Sequence, residues 1–312
     1  MRLSIIGAVL ALALAICACS TSSGANSKAP VPTTPAAALP ASNASHVVMI
    51  LMENKERGSV IGSSHAPYIN SLARRYASPP NFYGVSHPSL PNYLALIGGS
   101  TFGVRSDCTG CQQGSTNLVD QFEAKGVSWK AYMEGMPRPC FKGGSSGAYA
   151  KKHDPFAYFN DIVSNPARCA KIVPATQLKG DLTAGRLPDF VWISPNLCND
   201  MHDCTVAHGD QYLAKLVPPL LQELGPHGVL ILTFDEGSSN ASCCGGLARG
   251  GRIPSVIAGP GVRRGAKPAT AYSHYSTLRT VEDAFGLPHL RSAAASATKP
   301  LDAAFKVKPR LR

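Results

Sequence analysis

The chain has 312 residues, 44% hydrophobic and 16% charged, with a formal net charge of +11. That is enough apolar material for a sizeable core without help from metals or disulfides, and too much for a disordered chain. The positive balance favours anionic partners, either phosphorylated substrates or anionic lipid. Nucleic acid is set aside, because the cations are scattered apart from the tail Lys306 to Arg312 and no aromatic–basic stripe marks a groove.

In chain order, residues 1–18 read as an export signal: Arg2 starts it, and Ile5 to Ile16 is an apolar run too short to span a bilayer comfortably. The run ends in Ile16-Cys17-Ala18-Cys19, which resembles a bacterial lipobox with Cys19 as the lipidated residue. A cell-surface lipoprotein or a freely secreted protein follows from it. Residues 19–44, rich in Ser, Thr, Ala and Pro, read as a flexible tether, so the folded domain begins at residue 45.

His46 to Met52 is a nearly continuous apolar run, as a buried parallel strand requires, and stops at Glu53-Asn54. Pro67 to Tyr76 reads as a helix. Ser86 to Gly99, SHPSLPNYLALIGG, passes from polar loop to apolar helix, with Pro91 just inside the start and Ser89 at or near the N-cap. Cys108, Cys111, Cys140, Cys169, Cys198, Cys204, Cys243 and Cys244 form an even set in an exported chain, which suggests disulfides. Cys108–Cys111, Cys198–Cys204 and Cys140–Cys169 are plausible pairs, and a zinc site at Cys108 and Cys111 is the competing reading.

Phe190 to Ser194 is a second strand, ending at Pro195-Asn196. Leu213, Leu216, Val217, Leu220, Leu221 and Leu224 share one helical face, with Asp210 near the start and Pro218-Pro219 expected to kink or split the helix. Val229 to Phe234 is a third strand, ending at Asp235-Glu236-Gly237; Ile253 to Ala258 is a fourth, and Ser276 to Phe285 a last helix. Strands alternating with helices predict an α/β fold with a largely parallel sheet. Such sheets bind ligands at the carboxyl ends of their strands, where this chain puts its polar clusters.

Glu53, Asn54, Asp235 and Glu236 supply hard oxygen ligands for a divalent cation, and adjacent carboxylates repel unless a cation or proton lies between them. Read alone, Asp235 is equally a turn cap and Glu236 a solvated side chain. Ser89 sits where a helix N-terminus favours negative charge, which suits an alkoxide or a phosphate; read alone, it is more often a capping serine.

HVVMILMENK, SHPSLPNYLALIGG, WISPNLCNDMHDC, HGDQYL, LTFDEG, IPSVIAGPGV and YSHYSTLRTVEDAFGLP occur in this order. Together they resemble the phosphoesterase family of bacterial acid phosphatases and phospholipases C, most of all secreted phosphatases acting on phosphatidylinositol 3-phosphate. The likeness runs from about His46 to about Leu290. It implies an alkaline-phosphatase-like fold, a central sheet between helices, over residues 45–312. It also implies a divalent metal ion, with Ser89 as nucleophile and Asn92 as a phosphate contact. Glu53 and Asn54 match the family's first metal pair. Asp235 and Glu236 match its second, where relatives often carry two aspartates. His274 matches a late histidine near the metal. Asp200 and His202, with Asn196, fall in a segment that carries further metal or substrate ligands in relatives, and His208 is a further substrate-binding candidate. His87 could protonate the leaving group. The implied activity is phosphomonoester hydrolysis through a phosphoseryl intermediate, on a phosphate ester that includes anionic phospholipid among its candidates. The alternatives are a phospholipase C acting on diesters and a non-catalytic anion-binding surface lipoprotein.

Overall fold

A computed structural model describes residues 45–311. The export signal, Cys19 and the tether up to residue 44 lie outside the described residues. Six strands form the central sheet: β1 (Val47–Met52), β2 (Trp129–Met133), β3 (Ile172–Pro174), β4 (Phe190–Ser194), β5 (Val229–Phe234) and β6 (Ser255–Ala258), in the spatial order β3-β2-β4-β1-β5-β6. All neighbours pair in parallel except β5 with β6. β1 occupies the middle and is buried along its whole length, which accounts for its unbroken apolar sequence.

The four expected strands are present. β2 and β3 are additional, and both lack the long apolar run that marks a central strand. The main helices are α1 (Pro67–Arg75), α2 (Ser89–Gly98), α3 (Leu118–Lys125), α4 (Thr176–Thr183), α5 (Val206–Glu223) and α6 (His274–Phe285). Among the described residues none is long and apolar enough to cross a membrane.

Two expectations about α5 change. Pro218 and Pro219 lie inside an uninterrupted helix. Both are half-buried, on a flank where water can reach the carbonyls they leave unpaired. The helix also starts earlier than the apolar stripe suggests, at a Thr205 cap that accepts from the His208 N–H. Asp210 is in the second turn, buried, and caps a neighbour: its two oxygens accept from the Tyr68 and Ile69 N–H groups at the start of α1, at 3.0 and 2.8 Å.

All ten residues of α2 are buried, so the helix passes through the molecule instead of over it. It ends at Gly99, whose φ of 68° suits a left-handed cap, and a Cβ there would lie 2.3 Å from the Leu290 carbonyl oxygen. The eight cysteines form four disulfides, Cys108–Cys111, Cys140–Cys169, Cys198–Cys204 and Cys243–Cys244. The first removes the thiolates that the zinc reading needed.

Candidate active site

Register creates the site. Met52 pairs with Phe234, so the residues that follow, Glu53 and Asp235, emerge side by side at the carboxyl ends of adjacent central strands. The Asn54 N–H donates to Asp235 Oδ1 at 2.8 Å and locks the two turns together. Glu53 and Asp235 are wholly buried and Glu236 is 5% exposed.

The amino end of α2 is aimed at this junction. Ser89 is its first residue, one place further in than a cap, and is 1% exposed. Its hydroxyl donates to Glu53 Oε2 at 3.1 Å and lies 3.4 Å from Glu236 Oε1. The other oxygen of Glu236 pairs with His87 Nδ1, and His87 Nε2 faces the Ser239 carbonyl at 3.1 Å. One carboxylate thus links the buried hydroxyl to a half-exposed imidazole.

His153 and Tyr93 complete the floor, and sequence reasoning missed both. His153 Nε2 lies 3.3 Å from Glu53 Oε1 and its Nδ1 3.2 Å from Asp200 Oδ2. The Tyr93 hydroxyl donates to Glu53 Oε1, and the Tyr93 ring stacks on His153 with centroids 5.3 Å apart. Tyr93 was discoverable, since it falls one turn after Ser89 on the same helix face. His153 was not, since it lies in a short helical turn about 20 residues in sequence from either neighbouring strand of the central sheet. Glu53, His153 and His202 each present one ligand atom within 4.8 Å of the others.

The remaining predicted residues divide. Asp200 is buried; besides His153 it accepts from the His202 N–H at 2.7 Å. His274 Nε2 meets the Asp235 carbonyl oxygen and must therefore carry the proton there, which leaves the buried Nδ1 with a bare lone pair and no hydrogen-bond partner. Asn92 uses its whole amide on the loop before the helix: Oδ1 accepts from the Val85 and Ser86 N–H groups, and Nδ2 donates to the Ser86 and Pro88 carbonyls. It holds the nucleophile loop in shape and has no polar atom left for a phosphate. Asn196 Oδ1 caps its own turn through the Cys198 and Asn199 N–H groups. His208 bonds to Asn199, whose amide donates to both oxygens of Glu134, so it belongs to this adjoining network and not to the carboxylate cluster.

The amino end of α2 also holds an anion of its own. The Leu90 N–H donates to Asp107 Oδ1 at 3.0 Å, and Asp107 Oδ2 takes the Lys152 ammonium at 3.0 Å. Lys152 Nζ is in turn 3.1 Å from His202 Nε2. Burial alone would lower the Lys152 pKa, but its hydrogen bond and attraction to Asp107 raise it, so the ammonium stays charged at the edge of the cluster.

Packing three carboxylates together splits their acidities. Burial pushes the Asp235 carboxyl well above the usual range, and the charges of Glu53 and Glu236 push it further. Burial likewise raises Glu236, with His87 pulling back. Glu53 goes the other way: burial opposes ionisation, but the His153 charge and the bonds from His153 and Tyr93 bring it to about 2. His153 rises to about 9, because Glu53 and Asp200 outweigh the burial that would strip its proton. His274 has no such partner, and burial drops it to about 4.

The fold is that of the alkaline phosphatase superfamily. A protein of that superfamily from Vibrio parahaemolyticus superposes with a TM-score of 0.53 at 12% identity, over 83% of this chain and 71% of that one. More narrowly, residues 60–288 match the phosphoesterase family, and this chain belongs to it. It is 32% identical over 255 residues to a phosphatidylinositol-3-phosphatase of Mycobacterium tuberculosis, covering 81% of this chain and 80% of that protein. It is 31% identical over 254 residues to a probable acid phosphatase of Kluyveromyces lactis, covering 78% of this chain and 58% of that protein, so it spans rather more than half of the yeast relative's length.

Proposed function

We propose that the protein is an exported, metal-dependent phosphomonoesterase of the acid-phosphatase kind, with Ser89 as its nucleophile. The observation that carries this is the placement of a buried hydroxyl at a helix start, within hydrogen-bond reach of carboxylates from two central strand ends. The similarity to named phosphatases supports the reaction class. The relative from M. tuberculosis supports a phosphoinositide monoester among the substrates.

The residues fit a divalent cation. Asp235 Oδ2 and His274 Nδ1 are buried without hydrogen-bond partners, a costly arrangement that a cation would relieve. Glu53, His202 and a His153 deprotonated at Nε2 would hold it, with Asp235 beside them and Asp200 fixing the His153 ring through Nδ1. When bound, the ion would lower the hydroxyl pKa of Ser89 and offset phosphoryl charge.

The chain's own groups do the rest. Ser89 Oγ attacks phosphorus in line and its proton passes to Glu236, whose raised affinity suits a base. The P–O bond to the leaving alcohol breaks as that oxygen takes a proton from His87, the half-exposed member of the relay. A phosphoserine results; water attacks its phosphorus and gives a proton to His87, the P–Oγ bond breaks as Oγ recovers its proton from Glu236, and phosphate leaves with Ser89 restored. Lys152 faces the equatorial oxygens as charge develops on them. Glu236 acts as a proton carrier here, which gives a reason for a glutamate where relatives often have aspartate: the longer side chain spans Ser89 and His87.

Ser89→Ala should abolish release of nitrophenol from p-nitrophenyl phosphate while leaving the thermal transition in place. Retained turnover in a folded variant would remove Ser89 from the role. Dialysis against a chelator should also silence the wild type, and added divalent cation should restore it; full activity after exhaustive chelation would remove the metal. Bis(p-nitrophenyl) phosphate in the same assay separates diesterase from monoesterase.

A further inference from the structure

The opposite end of the sheet carries a different surface. β6 runs antiparallel to β5, and Ala258 pairs with Leu230 near the start of that strand. The loop after Ala258 therefore lies about 17 Å of strand away from Asp235. It is clamped between the carboxyl end of α1 and the segment after Ala304. The Ser78 N–H donates to the Ala266 carbonyl at 2.9 Å, the Arg263 N–H to Ala304 at 2.8 Å, and the Lys306 N–H to Gly261 at 2.8 Å.

These contacts gather Arg74, Arg75, Arg263, Arg264, Lys267 and Lys306, all exposed, from three separate stretches of sequence. No member of the set is in an ion pair with an acid of the described residues; the nearby Lys308, by contrast, is taken by Asp302 at 2.5 Å. Arg75, Arg264 and Lys306 share the rim of a cavity of about 260 Å³ floored by Tyr76, Leu221 and Pro260. Next to Lys306 stands Val307, 60% exposed and the single large hydrophobic side chain exposed among the described residues. The first described residues reach the same end, where the His46 carbonyl accepts from the Val229 N–H.

We infer that this face docks on an anionic phospholipid bilayer, the six cations meeting lipid phosphates and Val307 entering the interface. Uncompensated charge alone would fit any polyanion. An apolar side chain held out beside these cations is suited to a surface with an apolar interior. Docking this way turns Ser89 away from the bilayer, so the docked enzyme works on esters in the water phase or on a facing membrane. The inference is independent of the catalytic reading.

The test is co-sedimentation of the processed chain, residues 19–312, carrying Cys19→Ser, so that neither the signal nor an acyl anchor contributes. Vesicles of phosphatidylcholine are compared with vesicles of phosphatidylcholine and phosphatidylserine. The mixed vesicles should retain the protein and the neutral ones should not, and added salt should release it. Combining Arg75→Gln, Arg264→Gln and Lys306→Gln should weaken binding about a hundredfold, at about fivefold per cation. Val307→Ser should weaken it about tenfold. Tryptophan emission of Val307→Trp should shift to the blue on the mixed vesicles. All of these variants should show the parent's thermal transition, which shows that they fold. Equal binding to both vesicles, or a folded triple variant that binds like the parent, overturns the inference. So does binding to heparin that matches vesicle binding with no effect of Val307→Ser, since that marks a general polyanion surface.

Discussion

Gly84→Ala tests how the two halves of the site are held together. Gly84 packs backbone to backbone behind the acidic turn: a Cβ there would lie 2.7 Å from the Gly250 carbonyl oxygen, 2.8 Å from that of Asp235 and 3.1 Å from Glu236 Cα. All three are main-chain atoms, so no side chain can rotate out of the way. Reaching ordinary contact requires the nucleophile loop and the Asp235-Glu236 turn to part by roughly 0.6 Å. Overpacking of this kind costs about 1–3 kcal/mol, or a fall in Tm of roughly 2–6 °C for a domain of this size. The same displacement moves Glu236 away from Ser89, whose separation is already 3.4 Å. Turnover should fall roughly 10- to 100-fold, because small misplacements of reacting groups are expensive. The assay is scanning calorimetry beside steady-state hydrolysis of p-nitrophenyl phosphate. Gly180→Ala is the control: it lies within α4 with nothing within 4 Å of its Cβ position, so it should gain about 1 kcal/mol and keep its turnover. A Gly84→Ala protein with the parent's Tm and kcat would show that these loops yield freely, and the packing argument would fail.

Two further outcomes follow from the charges. Lys152→Met removes the cation between Asp107 and His202 and should lower kcat/KM for a monoester about 10- to 100-fold, with Lys152→Arg recovering part of it; an unchanged kcat/KM would exclude Lys152 from the phosphoryl contacts. Glu282 lies buried in α6, accepts from the Leu290 N–H at 2.7 Å, and leaves its second oxygen without a partner. Burial, aided by Asp283, lifts its pKa from 4.5 to about 8. Below the unfolded value both states hold the proton and nothing is lost. As pH rises from 4.5 to about 8 the unfolded chain releases a proton that the fold retains, so stability declines by up to about 1.4 kcal/mol per unit and then levels off. Glu282→Gln should flatten that decline in urea titrations across the window. Parallel curves for parent and variant would refute it.

Much of this molecule was written in local pattern. The apolar runs ending at Glu53, Ser194 and Asp235 identify the central strands, because a strand covered on both faces has to be apolar throughout. The polar residues after them are legible for the same reason, since a strand buried this deeply can turn polar only where it leaves the core. Ser89 is legible because a proline-led start fixes where α2 begins. β2 and β3 leave no comparable trace, being short and nearer the sheet's edge.

What the tertiary structure decided is which residues meet. Strand register places Glu53 against Asp235, and a helix running through the core delivers Ser89 and Tyr93 to them. A short turn at residues 151–153 brings His153 under Glu53 from a hundred positions away in the chain. Asn92 shows the converse: its position beside the serine suggests a ligand contact, and its hydrogen bonds are spent on the loop. The cations follow the same rule. Scattered along the sequence, Arg74, Arg75, Arg263, Arg264, Lys267 and Lys306 become one surface only because a loop is pinned between a helix end and the chain's last segment. Periodicity records how each segment meets the core, whereas proximity between distant segments depends on pairing and packing that no local stretch encodes.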